Sequence, residues 1–400
     1  MKILQVNKFL YPKGGADKYC LMLINELGKK HEVSAFGMSD EKNIISVNQE
    51  YFSENLNYHQ KGNSFKKAAR LIWNREAAQK FAKLLDKVKP DIIHAHNIYH
   101  QLSPSILKEA RKRNIPVVMT LHDYKLICPN YLLFCKGRHC QKCLKGNYFH
   151  CLFNNCYGSF FRSALATTES IIHNKILKSY QKGVKLFVAP SQYLKNLMLK
   201  AGFKEDQIIV LNNPAPETEN SPNGNRLLYL GRLSKEKGVD LLLKSLKDTN
   251  ESLDVVGDGP MEEELKKLTK KLNLEDRVTF YGHLDGEALL KIKREAKAVI
   301  VPSLWAENMS LVILESLALS KIVIASAMGG NPELIEHEKT GFLFLPNNEF
   351  DLAEKINKLN FLTNIEKENI KANIQEKIKL LSLSKHLDSL EDIYQQIIKQ

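Results

Sequence analysis

The feature that most limits what this chain can fold into is a repeated alternation. Short strand-like runs, dominated by Val, Ile, Leu and Phe, are each followed by a longer stretch of helical periodicity. In the first half such runs occupy 3–6, 31–36, 90–96, 117–121, 186–189 and 208–211. In the second half they occupy 226–230, 253–256, 278–280, 298–301 and 322–325. Apolar residues at helical spacing fill the intervals around Leu21–Leu27, across 65–88, and near 241–246, 262–272 and 287–296, and the last forty or so residues read as helix alone. Strands buried on both faces lose the polar-apolar alternation of a half-exposed sheet, and βαβ alternation implies parallel sheets covered by helices. The expectation is α/β: two doubly wound, Rossmann-like domains facing across a cleft, with ligands held at the carboxyl ends of the strands.

A break in the middle sets the boundaries. Asn213-Pro214-Ala215-Pro216 and Ser221-Pro222-Asn223-Gly224-Asn225 carry turn residues and no apolar period. The expected division is a domain over 1–213, a linker over 214–225, a second domain over 226–378, and a terminal helix over 379–400 that packs back on the first domain. A chain of 400 residues accommodates this. No apolar run approaches the length of a membrane span. Met1–Asn7 turns polar too soon for a signal peptide, so the expected location is the cytoplasm.

Charge is unevenly spread. Residues 1–213 hold 33 Lys/Arg against 15 Asp/Glu, whereas 214–400 hold 25 against 30. A basic half suggests an anionic partner such as a phospholipid surface or nucleic acid. The segment 61–75 sets Lys61, Lys66, Lys67, Arg70 and Arg75 among Phe65, Leu71 and Trp73, an amphipathic pattern suited to an anionic membrane surface or to an ordinary exposed helix. A basic two-domain chain could also bind nucleic acid and sense a nucleotide in its cleft, but no nucleic-acid motif and no Walker loop is present.

Several strand ends carry the residues of a phosphate and sugar site. After 226–230 comes Gly231-Arg232-Leu233-Ser234-Lys235-Glu236-Lys237-Gly238, where Arg232 and Lys237 can reach one diphosphate. Gly14-Gly15 and Gly257-Asp258-Gly259-Pro260 mark turns where backbone can approach a ligand. After 298–301 the chain reads Pro302-Ser303-Leu304-Trp305-Ala306-Glu307-Asn308-Met309-Ser310-Leu311, with Glu315 eight residues past Glu307. A helix starting near Met309 would offer the N–H groups of Met309, Ser310 and Leu311 to a phosphate. The two carboxylates suit sugar and ribose hydroxyls, which donate. The chain contains no Asp-x-Asp pattern, so a diphosphate would be neutralised by Arg232 and Lys237, and no metal site is expected.

Taken in order, these elements resemble retaining glycosyltransferases of family 4, which have the GT-B fold. The resemblance extends through Thr120-Leu121-His122-Asp123, Gly329-Gly330-Asn331-Pro332-Glu333 and Thr340-Gly341-Phe342-Leu343. It implies transfer of a sugar from a nucleotide-diphosphate sugar, UDP favoured over GDP, to a glycan acceptor, commonly lipid-linked, with no cofactor needed for the chemistry. It implies that the domain 1–213 binds acceptor and 226–378 binds donor. Arg232 and Lys237 would hold the diphosphate, Glu307 the donor sugar, Glu315 the ribose, His122 the sugar near the scissile bond, and Gly15 a phosphate through its N–H. The base would lie near Gly257–Gly259 and Tyr281-Gly282-His283. Where many relatives have Gly-Phe-Gly, this chain has Asn308-Met309-Ser310, which adds a side chain beside the sugar. A nucleotide-sugar hydrolase or epimerase on the same fold is the further alternative.

Six of seven cysteines lie within 128–156, an insertion following His122-Asp123. Cys135, Cys140, Cys143, Cys151 and Cys156 admit a structural zinc, redox-active thiols or small apolar packing. Cys20 and Cys128 read as core.

Overall fold

The computed structural model describes residues 1–55, 64–219, 221, 222 and 224–400, with the side chains of 64–67 set aside. In chain order the strands are β1 (Lys2–Val6), β2 (Glu32–Phe36), β3 (Ile92–Ala95), β4 (Val117–Thr120), β5 (Phe134–Cys135), β6 (Arg138–His139), β7 (Leu186–Ala189) and β8 (Ile208–Val210). The second half gives β9 (Arg226–Leu230), β10 (Leu253–Val256), β11 (Val278–Gly282), β12 (Ala296–Val301), β13 (Val323–Ser326) and β14 (Phe342–Phe344). The first sheet runs β2-β1-β3-β4-β7-β8 and the second β11-β10-β9-β12-β13-β14, with every pairing in both parallel. β5 and β6 form a small antiparallel hairpin in the cysteine-bearing insertion.

β3, β4, β7, β10 and β13 are buried along their whole length, as strands with helices on both faces must be. The strand order reverses between β1 and β3 in one sheet and between β9 and β12 in the other. Loops leaving the carboxyl ends at such switch points diverge and open a crevice.

Two elements differ from the sequence reading. The period over 65–88 is divided into helices Ser64–Ile72 and Arg75–Val88, because Asn74 accepts a hydrogen bond from the Ala77 N–H and starts a new helix. β14, only three residues long, was not expected as a strand and completes the second sheet. Lys61 lies outside the described residues, as do the side chains of Phe65, Lys66 and Lys67.

The C-terminus crosses between domains. Helix Asn364–Leu380 buries Ile370, Ile374 and Ile378 in the second core. Helix Leu383–Ile398 instead packs Leu390, Tyr394 and Ile397 against Ile3, Tyr19, Leu23 and Val118 of the first domain. At the crossing the Ala215 N–H donates to Leu381 O at 2.8 Å, so the two interdomain segments run side by side. Among the described residues no helix is long and apolar enough to cross a membrane.

Candidate functional site

The switch point of the second sheet places β9 beside β12, and the loops that leave these strands bring Lys237 to Glu307. Lys237 Nζ donates to Glu307 Oε1 at 2.7 Å, and the same oxygen accepts from Ser303 Oγ at 2.8 Å and from Trp305 Nε1 at 2.9 Å. Lys237 also lies 5.0 Å from the Trp305 ring centre, a cation–π distance. Burial of Glu307 opposes its charge, but the Lys237 ammonium and these three donors outweigh it and hold the carboxyl below its ordinary range. Arg232 is exposed, and its guanidinium has no ion pair or hydrogen bond among the described residues, so it stands open to an anionic ligand.

The backbone of this loop is held by glycines. Gly329 has φ +62°, and a Cβ there would sit 2.2 Å from Glu307 O; Gly330 donates its N–H to that oxygen at 2.7 Å. Gly257 and Gly259 lie against Gly231 O and Leu233 O, with a Cβ at 2.0 Å and 2.4 Å. Their immediate neighbour is therefore the β9 loop. Gly14 precedes helix Gly15–Leu27, which begins at the cleft, and a Cβ on Gly15 would meet Leu311 Cδ1 at 2.7 Å.

The helix after Glu307 begins later than the sequence suggested. It spans Leu311–Ala318, with Ser310 as its cap accepting from the Ile313 N–H. Met309 and Ser310 thus precede the helix. Asn308 also departs from expectation. Its side chain is buried in the domain interface: Nδ2 donates to Leu121 O at 2.9 Å and Oδ1 accepts from Ser191 Oγ at 2.9 Å. A second tie is Glu333, whose two oxygens accept from the Gln192 and Tyr193 N–H groups at 2.7 Å each, capping a helix of the other domain. Tyr124 OH donates to Ala306 O at 3.0 Å as a third. These latches were not legible in the chain, since each partner lies more than a hundred residues away.

Across the cleft, the first domain contributes His122 at the end of β4. His122 Nε2 and His96 Nδ1 are 3.1 Å apart, and His96 Nε2 is 2.9 Å from Gln5 Oε1. With the Gln5 amide assigned so, its oxygen only accepts. His96 then donates from Nε2 and accepts at Nδ1, and His122 donates from Nε2, leaving Nδ1 as its acceptor. Beside this chain His94 joins Tyr394 OH and Thr120 Oγ1 at 2.5 and 2.7 Å, and His386 joins Tyr19 OH and Asn212 O, both at 2.8 Å.

Burial pushes His94 and His122 down to about 3 and His386 to about 4, with the Lys8 ammonium adding to the shift at His122. Burial also lowers His96 far below its ordinary value. The unfolded chain takes up protons below about pH 6.5 that the folded chain refuses, so stability is complete above that pH and is lost as pH falls. At pH 5 the loss is up to about 2 kcal/mol for a histidine such as His94. We expect the thermal midpoint to drop by several degrees between pH 7 and 5 at fixed ionic strength; a flat profile would contradict the neutral assignment.

Glu315 occupies different surroundings from Glu307. It pairs with Lys293, on helix Gly286–Arg294, and lines an interdomain cavity of about 740 Å³ with Gly15, Tyr19, Leu311 and the linker. Lys237 and Glu307 do not line that cavity. Lys293, Ser303 and Trp305 are site neighbours that sequence reading passed over; the Trp305 position two residues before Glu307 was the available signal. His283 is exposed past the end of β11, beside Tyr281 and Gly282.

In the insertion, Cys135 and Cys156 approach with Sγ atoms 3.3 Å apart, and Cys128, Cys143 and Cys151 are buried, as is Cys20 on helix Gly15–Leu27. Among the described residues no group of three His, Cys, Asp or Glu side chains is arranged to hold a metal ion. Burial pushes the Cys128, Cys135 and Cys143 thiols up to about 12, so they remain protonated, and Cys128 and Cys143 pack within apolar clusters.

Two parallel-sheet domains that direct their switch-point loops into one shared cleft define the GT-B class of α/β fold. Residues 13–218 match the family described as Glycosyltransferase Family 4, and residues 212–377 match the one described as Glycosyl transferases group 1. The chain belongs to the family 4 type of glycosyltransferases. An uncharacterized glycosyltransferase of Methanocaldococcus jannaschii is 27% identical over 77% of this chain and 76% of its own. In fold the chain is similar to a sucrose-phosphate synthase from Thermosynechococcus elongatus (TM-score 0.74, 19% identity, 100% of this chain and 99% of that one). It is similar also to Anabaena HepE, solved with UDP (TM-score 0.70, 20% identity, 99% and 100%). The protein is a glycosyltransferase.

Proposed function

We propose that the chain transfers a sugar from a UDP-sugar to a lipid-linked glycan, with retention of configuration and without a metal, in the making of surface polysaccharide or glycoconjugate. The observation that carries this is the Lys237–Glu307 pair at the β9/β12 switch point, with Arg232 exposed on the same loop as Lys237 and His122 next to Leu121, whose carbonyl accepts from Asn308. HepE, solved with UDP, supports the choice of base.

In this reading Arg232 and Lys237 stabilise the diphosphate as charge grows on the leaving group, the stage at which fixed cations contribute most. His122 accepts a hydroxyl of the donor sugar at Nδ1, and Glu307 binds sugar hydroxyls. Gly15, Leu311 and the capped helix start face the phosphates, Glu315 takes the ribose, and the base lies towards Gly257, Gly259 and His283. Domain 1–213 receives the acceptor. Glu307 Oε1 already accepts from three donors, which suits this carboxylate to binding in this reading. The route in this reading is front-side displacement: the acceptor hydroxyl attacks as the diphosphate leaves, and a phosphate oxygen takes the proton. Orientation and exclusion of water by the closed domains supply the rest.

The two glutamates separate experimentally. Glu307→Gln should lower transfer by about 10²-fold and leave UDP affinity nearly intact. Glu315→Gln should weaken UDP by about 1–3 kcal/mol, since an amide offers one acceptor oxygen where a carboxylate offers two. Titration with UDP, which has ribose but no donor sugar, decides the matter; equal weakening by both variants would defeat this division.

A further inference from the structure

The insertion after His122 carries a surface that the transfer chemistry does not use. Helices Phe149–Phe153 and Phe160–Ser170 form a short antiparallel hairpin, tied by Thr167 Oγ1 to Tyr148 O at 3.3 Å and Ser163 Oγ to Asn155 Oδ1 at 3.2 Å. Four phenylalanines point outward from it: Phe149, Phe153, Phe160 and Phe161 are 52, 79, 71 and 65% exposed. Phe149 and Phe153 share one helix face with ring centres 6.4 Å apart, while Phe160 and Phe161 start the second helix at the end where Phe153 finishes the first. A buried core needs none of these rings, and four exposed phenylalanines within thirteen residues exceed the scattered apolar residues of an ordinary surface.

The segment that carries them is one-sided in charge. Residues 136–182 contain eight Lys/Arg and one acid, Glu169, which is buried and spent on Lys125 and His100. Lys136, Arg138, Lys142, Lys145, Arg162, Lys175, Lys178 and Lys182 are all exposed, and none has an ion pair among the described residues. Elsewhere the surface lysines are often paired, as Lys29, Lys80, Lys112 and Lys266 are. Aromatic rings flanked by unpaired cations match the interface of an anionic bilayer, which takes rings at headgroup depth and attracts cations to its surface. The β5–β6 turn that opens this segment stands by the cleft: a Cβ on Gly137 would lie 3.3 Å from Lys235 in the loop that carries Lys237.

We propose that the segment 136–182, which carries most of the insertion and the helix after it, docks the enzyme on an anionic lipid surface with the phenylalanine hairpin in the headgroup layer, so that the cleft opens beside the membrane. The inference rests on the lipid-linked acceptor of the proposed function and assigns the contact to an element other than 61–75. Membrane contact and sugar transfer fail separately, because vesicle binding is read without turnover and UDP binding without vesicles.

The test is cosedimentation of the full chain with vesicles of phosphatidylglycerol and phosphatidylcholine, and with phosphatidylcholine alone. Binding should be at least about tenfold stronger to the anionic vesicles and fall as salt rises. Replacing Phe149, Phe153, Phe160 and Phe161 with Ser should reduce it about tenfold or more. Lys142→Glu/Lys145→Glu/Lys175→Glu should do the same while leaving the UDP-induced thermal shift unchanged, which also shows that the variants fold. Equal binding to both vesicle types, loss through Lys66→Glu/Lys67→Glu instead, or retention by RNA in place of anionic vesicles would overturn the proposal. Absence of a UDP shift in the unaltered chain would count against the function and leave the vesicle result standing.

Discussion

Lys237→Ala should lower turnover by about 10²-fold or more, with kcat falling at least as far as KM rises. The structure gives this substitution a second consequence. It removes the cation paired with Glu307, leaving a buried carboxylate with Ser303 and Trp305 as its donors among the described residues. Burial then prevails and the Glu307 carboxyl moves up, so the variant should lose about 1–3 kcal/mol of stability at neutral pH. The sign with pH follows. Because the folded carboxyl is held below its unfolded value, the pair contributes above the ordinary carboxylate range and the contribution disappears as pH falls through the folded value. The stability gap between parent and variant should therefore close in acid. Combining Lys237→Ala with Glu307→Gln should restore much of the stability and none of the turnover, a coupling that a double-mutant cycle measures directly. A gap that stays constant to pH 3 would show that the two groups are not paired.

Gly329→Ala should have an effect of similar size by another route. Its φ of +62° disfavours any side chain, and the new Cβ would stand 2.2 Å from Glu307 O and 2.7 Å from Glu307 N. The Glu307 backbone must move by about an ångström, a displacement that can cost about 10²-fold in rate. The strained backbone adds about 1–3 kcal/mol of destabilisation. Gly202→Ala is the control: its φ is +88°, yet nothing lies within 4 Å of the added atom. It should cost stability with turnover unchanged. Matching activity losses in the two variants would show that collision with Glu307 is not the cause.

The fold was legible because parallel strands buried on both faces announce themselves. The spans 186–189, 226–230 and 253–256 coincide with β7, β9 and β10, residue for residue. β14 escaped because three residues carry no period, and the break at Trp73-Asn74 escaped because a helix pair and a single helix share one periodicity. At the site, the glycines, Glu307 and Lys237 were readable as strand-end residues. What could not be read was which side chain meets which. The Lys237–Glu307 pair spans 70 residues, the Asn308–Leu121 tie spans 187, and Tyr19–His386 spans 367. Asn308 shows the consequence most clearly. From sequence its side chain belonged beside the sugar, whereas in the structure the Leu121 carbonyl and Ser191 hydroxyl draw it into the domain interface. The helix start moved from Met309 to Leu311 for a local reason: Ser310 accepts from the Ile313 N–H, and a residue that caps stands outside the helix it caps.

Binding of UDP in the presence of EDTA tests most directly the proposed metal-independent nucleotide-sugar site of Lys237, Glu307 and Arg232. A ligand that binds only the folded chain stabilises it by RT ln(1 + [L]/Kd), about 2.7 kcal/mol at a hundredfold excess over Kd. In a thermal-shift titration with UDP, GDP and ADP, all with EDTA, UDP should raise the midpoint by several degrees, and Arg232→Ala together with Lys237→Ala should abolish the rise. No shift with any of the three nucleotides, or a UDP shift that survives the loss of both cations, would contradict the account.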